Sequence, residues 1–334
     1  MTICIFYKKY EGMILEIYDD DVTMVKEAFP EHEVYFASTY DDFIEKGIKA
    51  DILLLTYYDA SLYPNEATFE EYVEFSGNIK WIHYLFTGVD HLLASPVFAE
   101  NDILLTNSSG VHALPISEQV LGFMLAFARA FPIAFVNKLE NKWERPAVPF
   151  PDELNGKTLG IIGLGKIGKE IVKRAKPFNM RILGYKRVPE EIEYVDKLYF
   201  GDELKTMLSE SDYIVLLLPG TAETDKIIDA ECFAAMKPSA YFINIGRGMC
   251  VDNDALISAL RNGLIAGAAI DAYDPEPMPK DCPLWDMDNV IITAHIGGDC
   301  PKTLNRAIQV FVDNMPHYLD GTQMKNVVDQ TKGY

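Results

Sequence analysis

The chain has 334 residues, 49% hydrophobic and 24% charged, an ordinary globular balance in a chain too long for one small core, so two domains are expected. Its formal net charge of −20 repels phosphate backbones and anionic membranes, which excludes nucleic acid and membrane as partners and leaves small anions only a local basic island to bind. Five cysteines without a C-x-x-C pair fit free thiols in a reducing cytoplasm better than a disulfide framework, and predict no metal site.

The N-terminus, MTICIFYKKY, lacks the ordered charge, apolar core and cleavage site of a signal peptide. In the first hundred residues, ICIFY, EVYFA, ADILLL, KWIHYLF and ILLTN read as strands, and DDVTMVKEAF and ATFEEYVEF have helical spacing. That alternation predicts a parallel sheet. A long helix is expected from about His112 to Phe131; its most apolar part, from Val120, is cut by Arg129, too short to cross a bilayer. ENKWERPAVPFPDELNG then reads as a loop or arm.

A second series starts at Thr158. TLGIIGLG is a strand and turn, and KIGKEIVKRAKPF a helix. Strands follow at RILGYK, YIVLLLP, AYFINIG, IAGAAIDAY and NVIITAH, with the continuous apolar character of strands covered on both faces. A last helix is expected from about Pro301 to Leu319. The predicted fold class is α/β, with two doubly wound parallel-sheet units, the second carrying a nucleotide signature.

That signature is Gly163, Gly165 and Gly168 in G-x-G-x-x-G spacing, with a strand before it and a helix after it. The first glycine permits the turn, the second lets a pyrophosphate approach the backbone, and the third lets helix and strand pack closely. The helix N-terminus offers unpaired N–H groups to phosphate. Further on, NIGRG puts Arg247 after a buried strand, DAYDPEPMP holds Asp271, Asp274 and Glu276, and TAHIGG ends the last strand with His295. Each has a plain reading as surface charge or a structural histidine. Together they lie at or beyond strand C-termini of one sheet, where ligands bind. Arginine, carboxylate and imidazole beside a nicotinamide form a hydride-transfer set.

These pieces resemble the D-isomer-specific 2-hydroxyacid dehydrogenase family. LNGKTLGIIGLGKIGKEI, LLLPGTAETDKII, FINIGRGMCVDNDALISAL, GAAIDAYDPEP, PLWDMDNVIITAHIGG and the terminal NVVD…KGY run in family order over nearly the whole chain. The resemblance implies a discontinuous flavodoxin-like substrate domain (1–107 and 299–334) and an NAD(P)-binding Rossmann domain (108–298). It implies that Arg247 binds the carboxylate and carbonyl oxygen of a 2-oxo acid, that His295 is acid and base, and that Glu276 holds His295 protonated. Gly88 and Val89, in TGVDHL, would offer backbone N–H groups to the substrate carboxylate. Asp271 would sit near the nicotinamide carboxamide, and Lys166, Ile167, Pro219, Thr224, Ile245 and Gly298 would complete the cofactor contacts.

The chain departs from the family pattern at several positions. Ala294 replaces a common proline, and Gln119, in PISEQV, replaces a common histidine to which no catalytic meaning is attached. No regulatory domain follows Tyr334, which weighs against a serine-pathway phosphoglycerate dehydrogenase. The largest departure is in ILGYKRVPE, where an acid that holds a ribose hydroxyl is expected and Lys186 and Arg187 stand instead. Either they are an exposed loop's charges or they receive the 2′-phosphate of NADP. The expectation is a cytoplasmic, homodimeric reductase of small 2-oxo acids such as glyoxylate or hydroxypyruvate, giving (R)-2-hydroxy acids, with NADPH preferred and NAD possible. Rivals are an NAD-dependent D-lactate-type or phosphoglycerate dehydrogenase and, from another class, a nucleotide-sensing interaction protein. Tyr7, Tyr57 and Tyr58 are candidate pocket residues that packing would explain equally well, and Trp143 is a candidate for contact with a partner subunit.

Overall fold

The structure, a computed structural model, describes residues 1–7, 19–56, 66–145, 150–188 and 190–330. The chain divides into two units, one formed by Met1–Val111 with Asp299–Tyr334 and the other by His112–Gly298.

The first unit holds a five-stranded sheet of β1 (Thr2–Phe6), β2 (Glu33–Ala37), β3 (Ile52–Leu55), β4 (Trp81–Tyr84) and β5 (Leu104–Asn107). All neighbours are parallel and the order is β2-β1-β3-β4-β5, the flavodoxin-like arrangement. Side chains on successive strand positions point to opposite faces. Accordingly Leu53 and Leu55 pack with Phe43 and Tyr72 on one side, and Ile52 and Leu54 with Trp81 and Phe311 on the other. Phe311 comes from the last helix, Thr303–Asp320, so the C-terminal segment completes the N-terminal core. Burying such a ring stabilises the fold by roughly 1.5–3 kcal/mol.

The second unit holds β6 (Thr158–Ile162), β7 (Arg181–Tyr185), β8 (Lys197–Tyr199), β9 (Tyr213–Leu216), β10 (Tyr241–Asn244), β11 (Gly267–Ile270) and β12 (Val290–Ile292). All are parallel in the order β12-β11-β10-β9-β6-β7-β8. The order reverses between β6 and β9, the crevice where doubly wound sheets bind dinucleotides.

The helix expected to about Phe131 ends earlier, at Ala128. It runs Ala113–Ala128 and is followed by Phe131–Leu139, at an angle of 70°. Ala130 at the break adopts a left-handed φ of +54°. Pro132, which has no N–H to donate, fits only the first turn of a new helix. No single helix among the described residues is long and apolar enough to cross a membrane.

One buried polar group has a measurable consequence. His83, on β4, is fully buried, with Nδ1 2.8 Å from Thr106 Oγ1 and Nε2 3.2 Å from both the Ala307 carbonyl and Ser108 Oγ. Burial drives its pKa from 6.5 down to about 4. Below pH 6.5 the unfolded chain therefore takes up a proton that the folded chain refuses until about pH 4. Stability is complete above that window and falls by about 3 kcal/mol across it. His83→Gln is expected to flatten this acid limb, measured as urea midpoints between pH 7 and pH 4.

Candidate active site

The glycine loop follows β6. Gly163 sits at φ +100°, a conformation costly for any residue with a Cβ. A Cβ on Gly168 would lie 2.8 Å from the Gly163 carbonyl oxygen, whereas one on Gly165 would meet nothing within 4 Å. The first and third glycines thus shape the turn, and the second leaves the approach open. Helix Lys166–Ala175 starts there without a side-chain cap, so its first N–H groups face that opening, with Lys166 and Ile167 in its first turn. These residues fit a pyrophosphate. Across the β6–β9 crevice, the loop after β9 closes on itself. The Thr224 hydroxyl donates to the Pro219 carbonyl at 2.6 Å and accepts from the Thr221 N–H at 2.9 Å.

Lys186 and Arg187 follow β7, and both meet carboxylates that the sequence reading did not pair with them. Lys186 Nζ contacts Glu190 Oε2, and Lys169 Nζ reaches Glu190 Oε1 at 2.6 Å. Arg187 Nη1 lies 3.2 Å from Glu223 Oε2, with both side chains largely exposed. Hydrogen bonds from Lys169 and then Lys186 pull the Glu190 pKa down to about 2.

Arg247, Glu276 and His295 stand beyond the ends of β10, β11 and β12, which are adjacent in the sheet. Gly248 makes the first loop fit the second, because a Cβ there would lie 2.0 Å from the Tyr273 carbonyl carbon. Buried Asn244, which sequence reasoning passed over, donates to the Ala272 carbonyl at 2.9 Å and the Arg247 carbonyl at 3.3 Å, tying the same loops. His295 Nδ1 lies 2.8 Å from Glu276 Oε2, and Glu276 Oε1 accepts from the Tyr273 N–H at 3.0 Å. This leaves Nε2 for exchange with a ligand. The His295 and Glu276 side chains are 47% and 40% exposed, so a small molecule can reach them.

Electrostatics couple the three. The hydrogen bond that its ring donates to Glu276 raises the His295 pKa above its ordinary value, against burial and the Arg247 charge. Burial pushes the Glu276 carboxyl up, but the hydrogen bonds from His295 and the Tyr273 N–H, with both nearby positive charges, hold it below its usual range. The pair favours the protonated ring, which can yield its proton to a developing alkoxide.

His295 also has a left-handed backbone, φ +54°, which costs a residue with a Cβ roughly 1–2 kcal/mol. Buried Asp271 surrounds that residue with hydrogen bonds. Its carbonyl accepts from the His295 N–H at 2.9 Å. Its Oδ1 accepts from Thr293 Oγ1 at 2.5 Å, the Ile296 N–H at 3.1 Å and Gln119 Nε2 at 3.0 Å, and its Oδ2 from the Gly297 N–H at 3.0 Å. Ile245 is buried beside Gly297, and the Gly298 carbonyl lies 3.2 Å from His112 Nδ1.

The other candidates divide differently. Gly88 and Val89 lie in the first unit, between β4 and helix Asp90–Leu93, with Val89 buried. Tyr7 is a buried member of the first unit's core. Tyr57 and Tyr58 lie outside the described residues. Trp143 is fully exposed rather than packed on its own chain.

A family model for the D-isomer specific 2-hydroxyacid dehydrogenase NAD-binding domain matches residues 121–297. The chain is 33% identical over 311 residues to a D-3-phosphoglycerate dehydrogenase of Methanocaldococcus jannaschii, covering 93% of this chain but 57% of that relative. It is 37% identical over 231 residues to a glyoxylate/hydroxypyruvate reductase B of Salmonella newport, covering 68% of this chain and 71% of the relative. Among solved structures, a D-isomer specific 2-hydroxyacid dehydrogenase of Xanthobacter autotrophicus in complex with NADPH and MES superposes with TM-score 0.79 at 27% identity, covering 99% of both chains. Matching over more than half of its length, with the fold to go with it, this chain belongs to the NAD(P)-dependent D-isomer-specific 2-hydroxyacid dehydrogenase family.

Proposed function

We propose that the chain reduces small, polar 2-oxo acids, of the glyoxylate or hydroxypyruvate kind, to (R)-2-hydroxy acids. The observation that carries this is the His295–Glu276 pair at 2.8 Å, formed beyond β12 and β11, with the Arg247 loop beyond neighbouring β10. The nicotinamide, when bound, supplies the hydride. Arg247 grips the substrate carboxylate and carbonyl oxygen, orienting the carbonyl carbon and stabilising negative charge on the oxygen. His295 delivers its proton to that oxygen from Nε2, and Glu276 stabilises the imidazolium until it does. Gly88 and Val89 add backbone donors to the carboxylate. Gly163, Gly165, Gly168, Lys166 and Ile167 hold the pyrophosphate, and Pro219, Thr224, Ile245 and Gly298 line the remaining cofactor path. The discontinuous unit is the substrate domain and the inserted one the cofactor domain.

The test is a panel of 2-oxo acids assayed with both reduced cofactors. Glyoxylate or hydroxypyruvate should lead in kcat/KM; a preference for bulky aromatic 2-oxo acids would overturn the substrate reading. The archaeal relative favours one alternative, oxidation of 3-phosphoglycerate with NAD, and the same panel run in reverse separates the two. Arg247→Lys keeps the charge but loses the two-pronged grip. Losing one charge-assisted hydrogen bond of about 1.5–3 kcal/mol predicts a fall in kcat/KM of about 10–100-fold. An unchanged value would move carboxylate recognition to the Gly88–Val89 backbone.

We further propose NADPH as preferred cofactor, bound through Lys186 and Arg187, and a homodimer. Helix Phe131–Leu139 has no buried residue and exposes Phe131, Phe135, Val136 and Leu139, with Trp143 just beyond it. An apolar surface of this kind suits a second subunit. Sedimentation should give a dimer; a stable, active monomer would refute it. The five free thiols support a reducing compartment.

A further inference from the structure

Helix Ala113–Ala128 sends one polar side chain to residues that flank His295. Gln119 sits on helix Ala113–Ala128, far from Asp271 and Thr293 in sequence, yet its Nε2 lies 3.0 Å from Asp271 Oδ1 and 3.1 Å from Thr293 Oγ1. The orientation of its amide follows from the partners. An ionised carboxylate only accepts, so the nitrogen must face it. Thr293 gives its hydroxyl hydrogen to Asp271 at 2.5 Å, so toward Gln119 its oxygen can only accept. Those two acceptors lie 2.5 Å apart, so one side of the amide nitrogen faces them both. Asp271 in turn carries four donors on its two oxygens, which fills a carboxylate's usual capacity of about four lone-pair sites. Its attachments are Thr293, Ile296 and Gly297, on both sides of the left-handed His295, and its own carbonyl takes the His295 N–H.

We propose that Gln119 is a positioning residue for the reaction: through Asp271 and Thr293 it fixes the backbone from Thr293 to Gly297 in the one conformation that brings His295 to Glu276. The inference rests on His295 being the acid and base. It also changes the role of Asp271, from a cofactor contact to the anchor of the histidine loop. The charged groups that act on His295 are Glu276, Arg247 and Asp271, and Gln119 keeps the last of these in place without adding a charge.

The test uses the full-length enzyme in the reducing direction. Gln119→Met keeps the length of the side chain and removes the amide donor. It should lower kcat about 10–100-fold, the cost of a slightly misplaced reacting group. KM for the 2-oxo acid and NADPH affinity, read by fluorescence titration, should change little. The alkaline limb of kcat should also move, since a loosened His295 loses part of its bond to Glu276. Gln119→His, whose ring Nε2–H reaches about as far as the amide, should recover most of the loss. Thr293→Val should reproduce the defect from the other end of the network, and the double variant with Gln119→Met should be no worse than the poorer single one. If Gln119→Met does not fold, Thr293→Val carries the test alone through the same kcat and pH readouts. Native kcat and an unmoved pH limb in the folded variants would overturn the proposal. So would a Gln119→His variant as poor as Gln119→Met. His295→Gln, assayed alongside, separates the two levels: near-native turnover there sinks the acid–base reading itself, whereas a dead His295→Gln beside a fully active Gln119→Met sinks only the role of Gln119.

Discussion

Replacing His295 with glutamine is expected to cut turnover about 10²–10⁴-fold, the usual cost of losing a positioned general acid. Cofactor affinity should stay nearly intact, because the glycine loop and the loop after β9 do not involve His295. The pH dependence gives an independent check. Reduction needs the protonated ring, and the hydrogen bond it donates to Glu276 raises its pKa. Turnover should therefore hold below that raised value and fall as pH climbs through it. Glu276→Gln removes the largest cause of the rise and should bring the fall to lower pH. A His295→Gln variant with near-native turnover would make His295 structural.

The second large effect is on cofactor choice. Lys186 and Arg187 stand where an acid would hold the ribose of NAD, and each meets a carboxylate of its own chain. Those pairs are exposed, and exposed ion pairs contribute about 0–1 kcal/mol. A 2′-phosphate brings close to two charges and several strong acceptor oxygens, and charge-assisted hydrogen bonds contribute about 1.5–3 kcal/mol each. The phosphate should displace Glu190 and Glu223. Kinetics are expected to favour NADPH over NADH in kcat/KM. Replacing Lys186 and Arg187 with Asp and Ser should raise the KM for NADPH about 10–100-fold and reverse much of the preference. Added salt should weaken NADPH binding more than NADH binding. Glu190→Gln, which removes the competitor, should lower the KM for NADPH. Equal or better efficiency with NADH in the unaltered enzyme would return both cations to the role of surface charge.

What was legible in the sequence depended on how local the cause was. The glycine loop could be read because its demands fall on adjacent residues: a left-handed φ at Gly163 and close packing at Gly168 admit little else. The strands could be read from their apolar runs, except β8, a three-residue edge strand too short to show one, and their C-termini then located Arg247, Glu276 and His295. Pairings decided by side chains meeting across the fold could not be read. Gln119 finds Asp271 from 152 positions away, and Arg187 finds Glu223 from 36. Short helices such as Tyr40–Glu45, Leu204–Glu210 and Ala230–Ala235 span too few turns to show a period, although Thr39 and Asp229 cap two of them. The break at Ala130 was visible only as Pro132, two residues further on.

The last helix has a bearing on the order in which the molecule is made. Leu304, Ala307, Ile308 and Phe311 cover Ile3, Ile5 and Trp81, so strands made early wait for a helix made much later to close their core. Residues 112–298, made in between, need nothing from either end to complete their own sheet. During synthesis the inserted unit can finish folding first, while one face of the sheet that precedes it stays covered only in part, by Val25 and Phe29. For that interval an apolar surface is open to aggregation and to chaperones, and a nascent chain halted after Gly298 should carry a finished second unit behind an unfinished first.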